Sequence, residues 1–204
     1  PTILSTKPGG PIAGAWTAFN YFGQDGYTQI SIDTMESTYK FIEGIKSIEG
    51  FYILGNPITP LFAFAHKKYD VFQIADEMKA RGWFVTSQLS SDVAPANLHL
   101  TVTIAHKGVE DAFIKDLAES LAKVKKGYTL RKLKDDATAA IVKKLVKNMS
   151  PQTLAKATDT LGISGGDTPE KLALISRLLD ELPNEVTQPL LLDFMSDFYT
   201  LEEK

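Results

Sequence analysis

The first ten residues of the chain hold the groups best suited to bind an anion. Two hydroxyl residues, a lysine and a pair of glycines follow one another: Ser5, Thr6, Lys7, Gly9 and Gly10. A helix is predicted to start at Pro11, and the first amides of a helix lack internal partners and carry partial positive charge. Together these groups could bind one phosphate. A plain loop leading into a helix with proline at its first position explains the same residues without a ligand.

The histidines are the other residues that could do chemistry. His99 lies on a predicted alternating strand and His106 at its end, where a histidine is more often packed or hydrogen-bonded than catalytic, so both interpretations stay open. His66 precedes two lysines and is predicted to be exposed. The chain has no HExxH motif and no histidine cluster, so no metal site is predicted.

The elements that must position these residues alternate between helical and strand periodicity. The predicted order is a helix from Pro11 to about Ile48 with a break at Gly23 to Gly26, strands at 51–54 and 61–65, a helix from Asp70 to Gly82, strands at 83–86 and 98–104, and a helix at 108–124. This order predicts an α+β fold, in which helices cover one face of a four-stranded sheet. His99 is predicted on the sheet face opposite Leu98 and Leu100.

The character of the chain changes at about Lys125. A short basic cluster comes first: Lys123, Lys125, Lys126, Arg131, Lys132 and Lys134. It is interpreted as a solvated face or linker, with contact to the phosphates of a membrane surface or nucleic acid as the less favoured alternative. An all-helical tail is predicted beyond it. The expected domains are a phosphate-contact loop with linking helices (1–48), an α+β small domain (49–126) and a helical extension (127–204).

Composition restricts the class of protein. The 204 residues carry a net charge of -3, which argues against a general nucleic-acid binder. The chain has no cysteine, which excludes disulfides and fits a reducing, cytoplasmic compartment. No apolar run approaches the roughly 18 residues that span a bilayer, so no membrane span is predicted.

Six stretches of the sequence carry a resemblance to a known family. They are PTILSTKPGG (1–10), IAG (12–14), FGQDGY (22–27), GFYILGNP (50–57), RGW (81–83) and HLTVTIAH (99–106). In this order they resemble sphingosine-1-phosphate lyases, which belong to the pyridoxal-phosphate-dependent decarboxylase superfamily, and the likeness extends over about residues 1–125. Several motifs in one order are harder to obtain by chance than a single motif.

The resemblance implies a fold and a reaction. The fold would be the small C-terminal domain of a fold-type I pyridoxal-phosphate enzyme, which a long helix enters and which is built on a mainly antiparallel sheet. The reaction would be retro-aldol cleavage of a phosphorylated long-chain amino alcohol to an aldehyde and phosphoethanolamine, in sphingolipid metabolism, by a homodimer. An amino-acid decarboxylase of the same superfamily and a non-catalytic dimerisation or interaction domain are the alternatives.

The resemblance also implies roles for residues in the opening segment. Thr6 matches the hydroxyl that reaches the cofactor phosphate of the neighbouring subunit. Lys7 replaces an arginine, which keeps the charge but loses the planar two-pronged donor. Ser5 stands where the family has glycine. The tyrosine-containing segment near the family's C-terminus has no counterpart here, which leaves the substrate less certain than the family.

The cofactor lysine of the family lies upstream of the segment that begins this chain. No catalytic residue is therefore assigned within the chain, which is expected to be inactive alone and to need the N-terminal, large-domain part of the same enzyme. Because the chain starts at Pro1 inside a motif, it is expected to be a piece of a longer protein or a processed product.

Overall fold

A computed structural model describes residues 8–146, 173–181, 187–188 and 192, with side chains over 8–128 and at part of the later positions. Within these ranges the elements are α1 (Gly9–Ser47), β1 (Phe51–Ile53), β2 (Leu61–His66), α2 (Val71–Lys79), β3 (Thr86–Gln88), β4 (Asn97–Thr101), a 3-10 turn (Ile104–His106), α3 (Glu110–Val146) and α4 (Ala173–Glu181). The predicted α+β order is confirmed. Of the all-helical tail predicted after residue 126, residues 147–172, 182–186, 189–191 and 193–204 lie outside the described residues.

The four strands form one antiparallel sheet in the order β1-β2-β4-β3. Phe64 pairs with Leu98, and both side chains are fully buried on the face that the helices cover. The next pair along, Ala63 with His99, faces the opposite side and is only partly buried. The sheet therefore has one helix-covered face and one open face, as the alternation predicts.

Residues of the three helices and the covered sheet face form one core. The fully or almost fully buried side chains include Ile45, Phe64, Ile74, Met78, Leu98, Leu117 and Val124. They come from α1, β2, α2, β4 and α3. The C-terminal half of α1, the whole of α2 and the first half of α3 are thus held by the same apolar cluster.

Helix α2 begins and ends where its sequence signals indicate. Asp70 caps the helix, since its Oδ1 accepts a hydrogen bond from the amide of Phe72 at 2.9 Å. At the other end Gly82 adopts φ +89°, and the amide of Trp83 donates to the carbonyl of Met78 at 3.0 Å. This turn uses Trp83, so β3 starts at Thr86 and not at residue 83 as predicted.

The end of β4 also differs from its prediction. The strand stops at Thr101, three residues before the predicted end, because the chain turns into the 3-10 segment Ile104–His106. Val102 still donates to the carbonyl of Pro60 at 2.7 Å. The alternation of apolar residues thus continues to residue 104, beyond Thr101, where β4 ends.

Helix α1 bends at Gly23, as predicted. Gly23 has φ +60° and ψ −170°, a conformation outside the helical region and one that side chains with a Cβ rarely adopt. The bend separates an N-terminal arm (residues 9–22) from the C-terminal half of α1 (residues 24–47).

Helix α3 is longer than predicted. It continues from Glu110 to Val146, so the basic segment is helical and is not a linker, whereas its interpretation as a solvated face stays a prediction. Within it, Lys123 forms an ion pair with Glu77 of α2, with Nζ and Oε2 2.6 Å apart. The proposed domain boundary at 126/127 falls inside this helix, and the division into three domains stays a prediction.

Candidate phosphate-binding site

The candidate site lies at the start of α1. The helix begins at Gly9, two residues before the predicted start, with Pro8 as the N-cap in extended conformation and no side-chain cap. Pro11 has no N–H, so the amides of Gly9 and Gly10 are the donors of the first turn that lack a helical acceptor. The first turn contains no acidic residue. Such a helix start favours an anion.

The space around both glycines is open. A Cβ built on Gly9 or Gly10 would meet no atom within 4 Å, and neither residue has positive φ. Neither packing nor backbone conformation in the described chain therefore requires glycine here. The two amides can be approached closely by a phosphate group, and these described residues fit that group. Ser5, Thr6 and Lys7 lie outside the described residues, so their roles stay predictions.

His66 has a structural role and is partly buried, whereas the sequence predicts an exposed side chain. Its Nδ1 accepts hydrogen bonds from the amides of Lys68 and Tyr69, both at 3.0 Å. Its Nε2 lies 3.3 Å from the carbonyl oxygen of Glu49 and donates to it in the tautomer that the two amides select. Burial, together with the charge of Lys125, lowers the pKa of His66 below its ordinary value of 6.5.

His106 is also structural. Its Nδ1 accepts from the amide of Thr103 at 2.9 Å, and the amide of His106 donates to the carbonyl of Thr103 at 2.9 Å. The ring stands edge-on to Phe41 with centroids 6.5 Å apart. These bonds cap the 3-10 turn after β4, which supports the structural interpretation of this residue.

His99 differs from the other two histidines. It pairs with Ala63 on one side and Thr86 on the other, in the middle of the open sheet face. Its Nδ1 is buried, and no described atom forms a hydrogen bond with it.

Among the described residues no group of three histidines, cysteines or carboxylates is placed to hold a metal. Over the same residues no helix is long and apolar enough to cross a membrane.

A buried polar link between α1 and α3 was not found from the sequence. Ser37 donates to Oε1 of Glu110 at 2.5 Å, and the amide of Gly108 donates to Oε2 at 2.6 Å. Burial would raise the pKa of Glu110, but the hydrogen bonds from Ser37 and the backbone outweigh it and lower that pKa. Ser37 and Glu110 are 73 positions apart, so no local pattern could reveal the contact.

The N-terminal arm is apolar but lies outside the core. Its exposed large side chains, with fractional exposures, are Ile12 58%, Trp16 68%, Phe19 64%, Tyr21 82% and Phe22 44%. These side chains do not pack against the described part of this chain. A contiguous apolar surface of this kind usually marks a protein interface.

Comparisons with known proteins agree with this fold. Residues 115–197 match the family described as "Pyridoxal-dependent enzyme, C-terminal putative HTH domain". The chain is 37% identical over 125 residues to the sphingosine-1-phosphate lyase of Oryza sativa subsp. japonica, covering 61% of this chain and 22% of that protein. It is 31% identical over 86 residues to the L-aspartate decarboxylase of Thermococcus kodakarensis, covering 42% of this chain and 22% of that protein.

A solved structure shares the same architecture. The Burkholderia pseudomallei sphingosine-1-phosphate lyase aligns with a TM-score of 0.54 and 26% identity, over 67% of this chain and 30% of that one. The predicted resemblance to sphingosine-1-phosphate lyases and the predicted fold class are confirmed. The chain spans about a fifth of the length of the curated relatives it matches.

Proposed function

We propose that this chain is the C-terminal part of a pyridoxal-phosphate-dependent carbon-carbon lyase that resembles sphingosine-1-phosphate lyase. The substrate would be a phosphorylated long-chain amino alcohol, and the products an aldehyde and phosphoethanolamine. The observation that carries the proposal is the 37% identity to a sphingosine-1-phosphate lyase over 125 residues. When bound, pyridoxal phosphate supplies the electron sink for cleavage of the carbon-carbon bond.

The contribution of this chain would be to bind the phosphate of the cofactor. The amides of Gly9 and Gly10, which have no helical acceptor, would donate to phosphate oxygens, and the helix dipole would favour the negative charge. The Thr6 hydroxyl and the Lys7 ammonium would add a hydrogen bond and a charge. The lysine that holds the cofactor would lie outside this chain, in the large domain.

We propose two partners for the N-terminal arm: the large domain of the same enzyme and the second subunit of a homodimer. The support is the exposure of Trp16 and Phe19, at 68% and 64%, on a helix with no cover from the described part of the chain. Burial of such aromatic side chains would contribute substantially to an interface. The arm would then hold Gly9 and Gly10 close to the subunit that contains the cofactor.

A decarboxylase is the second candidate, favoured by the 31% identity to an L-aspartate decarboxylase. A non-catalytic interaction domain is the third, favoured by the exposed arm. The intact protein should release a long-chain aldehyde from sphingosine 1-phosphate, and should release no carbon dioxide from L-aspartate. Release of carbon dioxide without aldehyde would identify a decarboxylase. Release of neither product would favour the interaction domain.

Two further measurements test whether this chain binds the cofactor phosphate while the large domain supplies the cofactor lysine. The 204-residue chain alone should show no turnover. Aldehyde release by this chain would contradict the expectation that the cofactor lysine lies outside it. In the intact enzyme, Thr6→Ala should weaken cofactor retention by roughly 10- to 150-fold, since one hydrogen bond to a charged group contributes about 1.5–3 kcal/mol. Thr2→Ala, in the same segment, is the control. Equal cofactor affinity in both variants by absorbance titration would assign Thr6 a structural role.

A further inference from the structure

Helix α1 changes direction within a short stretch, FGQDGY, which we call the elbow (residues 22–27). On one side of it lies the N-terminal arm, which carries the two glycine amides proposed to bind phosphate. On the other side lies the C-terminal half of α1, which is part of the core. The direction that the elbow gives to the arm therefore determines where those amides lie relative to the core.

Gly23 makes the bend through its backbone. Its φ of +60° and ψ of −170° fall in a region that essentially only glycine adopts. A Cβ built on Gly23 would meet no atom of the described chain within 4 Å, so the backbone conformation and not packing requires glycine here. Alanine, the strongest helix former, would favour helical angles at this position and would straighten α1.

Gly26 permits a close approach of the chain to itself at the elbow. A Cβ built on Gly26 would lie 2.9 Å from the Cβ of Phe22, closer than two such atoms can stand. In an unbroken helix the Cβ atoms of residues four apart are about 5–6 Å apart, so this approach is a consequence of the bend. The Cβ of Phe22 is attached to the backbone, and the helix itself would have to move to make room. The two glycines thus require the bend for different reasons.

Three aromatic rings brace the elbow. The centroid of the Tyr27 ring lies 5.4 Å from that of Phe19 and 5.8 Å from that of Phe22. Residues 19 and 27 would be about 12 Å apart along the axis of a straight helix, so the bend brings these two rings together. Phe19 and Phe22 belong to the arm, whereas Tyr27 belongs to the C-terminal half. Their contact joins the two halves and resists straightening.

A small change in the bend angle would move the first turn of α1 by a large distance. The arm (residues 9–22) is roughly 20 Å of helix at 1.5 Å per residue, so a rotation of roughly 10° at Gly23 would displace Gly9 by about 3.5 Å. A hydrogen bond from an amide tolerates only about 0.5 Å of variation in its N···O distance. The bend angle therefore decides whether the amides of Gly9 and Gly10 reach a phosphate.

We propose that the elbow positions the amides of Gly9 and Gly10 on the cofactor phosphate. Gly23, Gly26 and Tyr27 are its positioning residues, and they act through the direction of the arm and not by touching the phosphate. The inference rests on the phosphate contact proposed for the two amides. It assigns a role to the FGQDGY stretch, which carries part of the resemblance but none of the groups that would bind the cofactor.

Titration of the intact apoenzyme with pyridoxal phosphate and with pyridoxal, which lacks the phosphate, tests this role. Gly23→Ala should weaken binding of pyridoxal phosphate by roughly 10- to 150-fold, as for the loss of one hydrogen bond to a charged group, and should leave binding of pyridoxal unchanged. Gly26→Ala should act in the same direction and serves as the test if Gly23→Ala does not fold. Gly55→Ala, at φ +69° with nothing within 4 Å, is the matched control for backbone strain and should affect neither ligand.

Equal losses for pyridoxal phosphate and pyridoxal would show that the elbow only stabilises the fold and would overturn the proposal, as would the same loss in Gly55→Ala. Unchanged affinity for pyridoxal phosphate in Gly23→Ala and Gly26→Ala, while Thr6→Ala weakens it, would overturn the elbow and leave the phosphate contact standing. Unchanged affinity in all three variants would overturn both.

The distance between two spin labels measures the bend itself. The 204-residue chain has no cysteine, so Ala13→Cys on the arm and Lys40→Cys on the C-terminal half, both at exposed positions, can be labelled selectively. These positions would be about 40 Å apart on a straight helix. We expect a shorter distance in the chain that keeps Gly23 and a distance near that of the straight helix after Gly23→Ala. The same distance with and without Gly23→Ala would overturn the role of Gly23.

Discussion

The two halves of α1 have similar apolar spacing and opposite environments. In the C-terminal half, Phe41, Ile42 and Ile45 are 2%, 6% and 0% exposed and belong to the core. In the N-terminal arm, Ile12 and Trp16 are 58% and 68% exposed. Spacing determines which residues share a helix face, whereas the partner that covers the face depends on the rest of the protein. The C-terminal half packs into the core of this chain, and the arm does not pack against the described residues.

The largest expected difference between the halves comes from one substitution made in each. Ile45→Ala removes a fully buried side chain and should lower the free energy of unfolding by about 2–5 kcal/mol. Ile12→Ala removes the same atoms from an exposed position and should change it by less than about 0.5 kcal/mol. Urea denaturation of the chain measures both. Similar losses would mean that the arm packs within this chain.

The next effect concerns the turn that follows the C-terminal half. Gly50 has φ +95°, and a Cβ there would clash with the His66 ring. Gly50→Ala should cost about 1–3 kcal/mol from the backbone conformation alone, with the collision added. Gly55→Ala, at φ +69° with nothing within 4 Å, isolates the backbone part. Equal unfolding midpoints for the two variants would show that the His66 contact is unimportant.

A smaller effect is expected from the polar link. Ser37→Ala removes the hydrogen bond to Glu110 and should cost about 1–3 kcal/mol. Thr17→Ala, whose hydroxyl bonds only to the carbonyl of Ala13 in the arm, is the control and should be near neutral. Urea midpoints at neutral pH compare them. An equal loss in the two variants would contradict the importance of the link.

The same link predicts an acid dependence. The pKa of Glu110 is lowered from 4.5 in the folded chain, so its contribution to stability is present above pH 4.5 and is lost as pH falls through the folded pKa. Glu110→Gln should flatten the stability profile in this range. Denaturation at a series of pH values measures the slope, and an unchanged slope would show that another carboxylate dominates.

The smallest effect is expected from His66. Its pKa is lowered from 6.5, so the unfolded chain binds the proton first, and stability should fall as pH drops below 6.5 toward the folded pKa. Protonation would also turn Nδ1 from an acceptor into a donor facing the amides of Lys68 and Tyr69. His66→Gln should remove this slope between pH 6.5 and the acid range. A pH dependence of stability that persists in this variant would show that another group causes it.

Several residues of the motifs that resemble the lyases lie at turns, at a helix end or at contacts between helices. Gly50 is at the turn against His66, and Gly82 ends α2. The indole of Trp83 donates to Asp116 at 2.7 Å, and Nε of Arg81 donates to Ser120 at 3.1 Å, so both residues tie the end of α2 to α3. The resemblance therefore predicts the fold well. It predicts the substrate less well, because the contacts of these residues stabilise the fold and carry no information about a ligand.

The sequence by itself determined the order of helices and strands, the cap at Asp70, the bend at Gly23 and the sheet face that carries His99. Each is written in local periodicity or in one residue's backbone preference. Only the tertiary structure decided that His66 and His106 are structural, that Ser37 meets Glu110, that α3 continues through the basic segment, and that the arm is exposed. These outcomes depend on contacts between distant positions, which no local pattern encodes.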